Sequence, residues 1–203
     1  PTCYVKLEEA AGPTITDSSG NGNDGTYDAL APYQEAGPIE TDASSFGVGG
    51  RVGKIPAAAG SAMDITDTLV VNGFGVAGSL KTLVCRNGLA GQAKSNYIIF
   101  REPGRVEAML TIGGVSYTLT AFGTVTGQYH MATLVRQGSE MWLYLDGCLG
   151  DYRNDLPDEP LDYSAHHGYT TRAYWTIGYS GPSRGAIGEV WTATRTSHVS
   201  FGD

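Results

Sequence analysis

Wherever the chain shows a pattern of apolar and polar positions, its period is two. In "EMWLYLDG", Met141, Leu143 and Leu145 fall on one side and Trp142 and Tyr144 on the other, as in a half-buried strand. Asp146-Gly147 then closes a hairpin, because glycine accepts the positive φ that such turns demand. Upstream, "QYHMATLVRQG" puts Tyr129, Met131, Thr133 and Val135 on one face, and Gln137-Gly138-Ser139 turns it into the next strand. Further strands are predicted over 3–8, 80–86, 97–102, 105–112, 116–122, 174–179 and 186–194, with Gly113-Gly114 as a hairpin turn. Apolar residues are nowhere sustained at helical spacing, so at most a turn or two of helix is expected. There is no internal repeat.

A chain of 203 residues accommodates one all-β domain over 1–203, long enough to bury a core without staples. Its 29 glycines and 17% charged residues favour many short strands joined by tight turns. The net charge of −8 argues against a nucleic-acid partner, since no basic stripe is available to displace counterions. It equally disfavours an anionic membrane surface. No apolar run reaches the roughly 18 residues of a spanning helix, so no membrane insertion is expected. Cys3 and Cys85 lie in apolar, strand-like segments and are expected to pack as small hydrophobes, whereas Cys148 follows the Asp146-Gly147 turn. An odd, scattered set is neither a disulfide framework nor a zinc motif; reduced thiols are expected, with one bridge as the alternative. No basic-then-apolar leader precedes Pro1, which would fit synthesis in the cytosol.

The segment "DSSGNGNDGT", Asp17 to Thr26, packs glycines and side-chain oxygens too densely for a plain linker. With its surroundings, "YVKLEEAAGPTITDSSGNGNDGTY" resembles the opening of the bacterial and phage type of laminin-G-like, concanavalin A-like domain. Four later stretches keep that family's order. They are "GGRVGKI"; "QYHMATLV", similar to a central strand written Trp-His-His-Val-Ala; "MWLYLDGCL"; and the closing pair "WTIGYS" and "GAIGEVWTATR". The resemblance runs from Tyr4 to about Ser197. Tyr129 and Met131 replace the family's tryptophan and one histidine, Gly188 stands where an aspartate precedes Glu189, and 72–96 follows the family only loosely.

The resemblance implies a two-sheet antiparallel jelly-roll sandwich, in agreement with the alternation. It also implies a structural calcium ion held by the glycine-rich loop and an acid near the end of the chain. Asp17 would supply a carboxylate, Asn21 and Asn23 carbonyls, and Glu189 the closing carboxylate. Calcium takes six to eight such oxygens. The alternative is an Asx-rich turn satisfied by its own amides.

Enzymes of this fold place Glu-x-Asp-x-x-Glu on one strand. Here Glu40-Thr41-Asp42 is followed by Ser45 at the third acidic position, in surroundings that do not read as strand. His166 and His167 would diverge in an extended segment and make a poor chelate, and His130 reads as a hydrogen-bonded structural residue. No catalyst is expected. The polar stretch 151–173 reads as a long loop, a frequent carrier of function. Tyr152, Tyr163, Tyr169, Arg172, Tyr174 and Trp175 are its candidate ligand contacts, because sugars offer C–H faces to aromatic rings and hydroxyls to polar groups. Trp142 and Trp191 are assigned to packing.

Three functions follow in order. The first is a non-catalytic, lectin-like recognition or adhesion domain of a phage virion or tail that binds a cell-surface glycan. Such a protein would be made in the host cytoplasm, the bacterial cell surface being the alternative location. The second is a virion structural or decoration protein whose partner is a capsid or tail subunit; a homo-oligomer is compatible with either. The third is a glycan-cleaving enzyme.

Overall fold

The computed structural model describes residues 1–10, 12–27, 34–37, 42–46, 53–57, 60–63, 65, 68–78, 81–87, 95–101, 103–161, 174–178 and 194–202. Within them the chain is all-β, two antiparallel sheets forming a jelly-roll sandwich. Strands are numbered in chain order. Sheet I contains β1 (Cys3–Val5), β4 (Gln34–Ala36), β5 (Asp42–Phe46), β7 (Thr68–Val76), β12 (Tyr129–Gln137), β13 (Glu140–Leu145), β14 (Cys148–Arg153) and β16 (Thr194–Gly202). Sheet II contains β2 (Thr14–Ile15), β3 (Gly25–Tyr27), β6 (Gly53–Pro56), β8 (Lys81–Asn87), β9 (Ser95–Arg101), β10 (Arg105–Ile112), β11 (Val115–Phe122) and β15 (Tyr174–Ile177). Sheet I runs β14-β13-β12-β7-β16-β5-β4, and β1 shares with β5 the outer edge of β16. Sheet II runs β11-β10-β9-β8-β15-β6-β3-β2.

Alternation builds the core as the sequence predicts. Ala132, Leu134, Met141, Leu143 and Leu145 of sheet I face Ile98, Phe100, Val106, Leu110 and Leu119 of sheet II, all buried. Each large side chain so buried contributes roughly 1.5–3 kcal/mol. The three predicted hairpin turns are present: Gly113 and Gly114, Gly138, and Asp146 with Gly147 all take positive φ, the left-handed region that two-residue hairpins require.

Three expectations are corrected. β7, a central strand of sheet I, was not among the predicted strands; its Gly73 and Gly75 interrupt the apolar pattern and lie across from Ala132 and His130. Asp42–Phe46 is a strand, held by β4 and β16 in spite of its weak β-propensity. Asp151–Arg153 belongs to β14 rather than to a loop, and residues 154–161 are tied to the β12–β13 turn, where the Leu156 amide donates to Ser139 O. The fully buried Arg136 guanidinium donates there to the carbonyl oxygens of Gly138 (3.3 Å), Pro157 (3.1 Å) and Glu159, while Leu156 and Leu161 enter the core. Residues 162–173 and the predicted closing strand up to 193 lie outside the described residues.

All three cysteines are free: Cys3 and Cys85 are buried and Cys148 is exposed. Burial first, then the neighbouring Asp17, pushes the Cys3 thiol up to about 12. One thiol is therefore expected to react with a water-soluble disulfide reagent in the native protein and three after denaturation. A Cys148→Ser variant should leave no fast-reacting thiol.

Candidate functional site

On β12 and β13 the residues opposite the core form a continuous surface. Register places Val70, Val135, Trp142 and Tyr152 in one row across β7, β12, β13 and β14, and Asn72, Thr133 and Tyr144 in the next. Trp142 and Tyr152 lie with ring centroids 5.5 Å apart and planes inclined by 34°. The Tyr152 phenol donates to Glu140 Oε1 at 2.6 Å, and this hydrogen bond holds its pKa above the ordinary phenol value. Thr133 donates to Asn72 Oδ1 at 3.2 Å. The result is an aromatic platform with a carboxylate at its rim and an amide–hydroxyl pair beside it. Such a surface can stack the C–H face of a ring and accept hydrogen bonds from hydroxyls.

The platform depends on a bulge. Pairing of β13 with β14 shifts after Leu143↔Asp151, so that Gly150 is the unpaired extra residue. The shift directs Tyr152 onto Trp142 and brings β14 against the edge of β11, across the sandwich. There Asp151 Oδ2 accepts the Thr120 amide at 2.8 Å, and Arg153 stacks over Tyr117 while holding Asp155 in a two-point ion pair of 2.7 and 2.8 Å. Two otherwise open sheet edges thus cover one another.

Of the ligand contacts expected from sequence, Tyr152 stands on this platform, 40% exposed. Trp175 does not: it is 2% exposed in the core, its indole N–H donates to Met63 O at 3.1 Å, and the Arg86 guanidinium lies over its ring. Strand alternation on β15 turns it inward, which corrects its assignment as a ligand contact. Tyr174 is placed by its backbone on β15 opposite Pro56. Tyr163, Tyr169 and Arg172 lie outside the described residues, as do Glu189, Gly188, His166, His167 and Trp191. Trp142, assigned to packing, instead lies on the outer face. The alternation that puts Leu143 inward already marks it, but its pairing with Tyr152 depends on register that the sequence does not display.

In the glycine-rich loop, Asp17, Asn21 and Asn23 do come together. Asp17 Oδ1 accepts the amides of Tyr4 and Ser19, and Oδ2 accepts that of Asn23, each at 2.9 Å. The side-chain amides of Asn21 and Asn23 donate to Thr2 O at 3.1 and 2.8 Å. Asp24 Oδ1 accepts the Asp17 amide at 2.8 Å. These are the hydrogen bonds of an Asx turn. Its carboxylate points at amides, and among the described residues no group of three His, Cys, Asp or Glu converges as a metal shell would.

His130 is structural in its bonding. Its Nε2 accepts the Val125 amide at 2.9 Å, so Nδ1 carries the proton and donates to Asp146 Oδ2 at 2.7 Å. Asp146 Oδ1 accepts the Met131 amide, fastening the β13–β14 turn to β12. On sheet II the described strands carry one carboxylate, Glu107, and both Tyr97 (2.6 Å) and Arg101 (3.1 Å) hold it. Burial, followed by Glu107, pushes the Tyr97 phenol up to about 12.

No protein-family profile and no curated protein sequence matches the chain. Solved structures do. The botulinum neurotoxin serotype D binding domain matches with a TM-score of 0.64 at 13% identity over 98% of this chain, which spans 47% of that one. Domain 4 of AbnA, a GH43 extracellular arabinanase from Geobacillus stearothermophilus, solved in complex with arabinotriose, gives 0.58 at 13% identity over 98% of this chain and 90% of that one. The CBM40 of the Ruminococcus gnavus IT-sialidase, bound to α2,3 sialyllactose, gives 0.52 at 11% identity over 73% and 88%. The likeness is one of fold. This chain spans about half the length of the first of these, and nearly all of the arabinanase domain.

Proposed function

We propose that this is a non-catalytic carbohydrate-recognition domain whose sugar-facing surface is the Trp142–Tyr152 platform. The observation that carries the reading is a tilted aromatic pair in contact, half-buried and exposed respectively, with Glu140 as an acceptor at its rim. Support comes from the fold, which is shared with domains solved in complex with arabinotriose and sialyllactose. Glu107, held by two partners, is a poor match to the pair of free carboxyls that glycoside hydrolysis uses. On a glycan array, the wild-type protein is expected to bind a restricted set of glycans. Trp142→Ala should lose roughly tenfold or more in affinity, as aromatic anchors do, with the melting temperature read alongside as the folding control. No retained glycan, or equal retention by Trp142→Ala, would remove the reading.

A phage virion or tail as the setting, and a cell-surface glycan as the ligand, belong to this proposal through the sequence resemblance. A structural calcium at Asp17, Asn21, Asn23 and Glu189 belongs to it in the same way, the alternative being the Asx turn whose amides hold the Asp17 carboxylate.

A second reading, a decoration protein seated on another virion subunit, has its own observation. Phe122 is 71% exposed and Leu149 56%, each one residue along from the seam where β11 and β14 meet and Asp151 accepts the Thr120 amide. Aromatic and aliphatic exposure of this kind suits an interface core.

A further inference from the structure

We infer that the platform on sheet I selects uncharged sugars and discriminates against glycans bearing a carboxylate or sulfate at the contacting residue. This rests on the carbohydrate reading above and adds the chemical class of ligand. The argument is the placement of charge. Along β7, β12 and β13 the sequence holds a single guanidinium and no ammonium, and that guanidinium, Arg136, is turned inward and bound to three carbonyl oxygens. His130, on the same strand, is also turned inward, with both ring nitrogens engaged. On β14, Arg153 is held by Asp155 and lies over Tyr117, at the far side of the seam. Among the described residues, the formal charge at the platform is therefore that of Glu140, 2.6 Å from the Tyr152 hydroxyl.

An anionic sugar stacked on Trp142 would meet a like charge and find no cation among the described residues to replace its lost water, an arrangement that is strongly disfavoured once desolvated. A neutral sugar meets no such opposition. Its hydroxyls donate to the Glu140 carboxylate and the Tyr152 oxygen, and its C–H face covers the indole. The protein's net charge of −8 acts in the same direction at longer range.

The test compares matched pairs by titration calorimetry: lactose against α2,3-sialyllactose, and methyl-esterified against free oligogalacturonate. A retained neutral glycan from the array serves as a further probe. Neutral members are expected to bind at least roughly tenfold more tightly than their charged partners. Neutral affinity should stay constant from low to high salt, because no ion pair is screened. Glu140→Gln should narrow the preference, and Tyr152→Ala should weaken every binder; the exposed Tyr152 keeps this arm independent of any folding defect in Trp142→Ala. Tighter binding of the charged members, lost in Tyr152→Ala, would overturn the charge inference while leaving the carbohydrate reading intact. Absence of binding by every probe would overturn both.

Discussion

Gly150→Ala is expected to destabilise the fold by about 3 kcal/mol, the upper part of the range for overpacking, because the new methyl group would run into the buried Ala121. A Cβ at position 150 would lie 2.2 Å from Ala121 Cβ and 3.1 Å from Ala121 Cα. Neither neighbour is the end of a flexible side chain, so the backbones of β14 and β11 must separate. Separation weakens the Thr120–Asp151 hydrogen bond and shifts the bulge that sets Tyr152 against Trp142. Urea denaturation should show the lower midpoint. Combining the change with Ala121→Gly removes one of the two clashing methyl groups, and the double variant should regain more than half of the loss. A Gly150→Ala midpoint equal to that of the wild type, or no recovery in the double variant, would show that the sheets do not meet there.

The difference between what the chain announces and what it conceals follows from the range of the forces involved. Hairpins are local: Asp146-Gly147 and Gly113-Gly114 dictate positive φ by themselves, and the strands between them alternate cleanly because one face packs on the core. β10, predicted over 105–112, has those bounds in the structure. β7 and β16 are made strands by their partners. β7 lies between β12 and β16, where small Gly73 and Gly75 suffice, and β16, "TRTSHVSFG", is polar enough to pass for a tail yet pairs with β7, β5 and β1. The candidate site divides similarly. Tyr152 stands out in the sequence as an aromatic residue among polar ones and is exposed, whereas Trp175 is drawn into the core by Met63 and Arg86, partners distant in sequence. The Trp142–Tyr152 pair needed a one-residue bulge that composition does not encode.

Asp17→Asn is expected to cost about 2–3 kcal/mol and to flatten the acid limb of the stability curve. The carboxylate oxygens accept three backbone amides, and an asparagine must turn its NH2 group toward at least one of those donors, leaving a buried N–H opposed rather than satisfied. Burial alone would raise the pKa of Asp17. Hydrogen bonds from the Ser19 side chain and from the amides of Tyr4, Ser19 and Asn23 outweigh it and hold the group at about 2, against an ordinary 3.8. A depressed folded-state pKa gives stability that is complete above about pH 4 and is lost as pH falls toward 2. Urea midpoints followed from pH 5 to pH 2 should therefore fall more steeply in the wild type than in Asp17→Asn, the two curves converging at the acid end. Parallel curves would mean that the loop amides do not hold the charge. The same wild-type melts at neutral pH, with chelator and with added calcium, examine the proposed ion. Amides alone predict coincident curves, whereas an ion bound to the folded loop raises the midpoint as its concentration exceeds its dissociation constant.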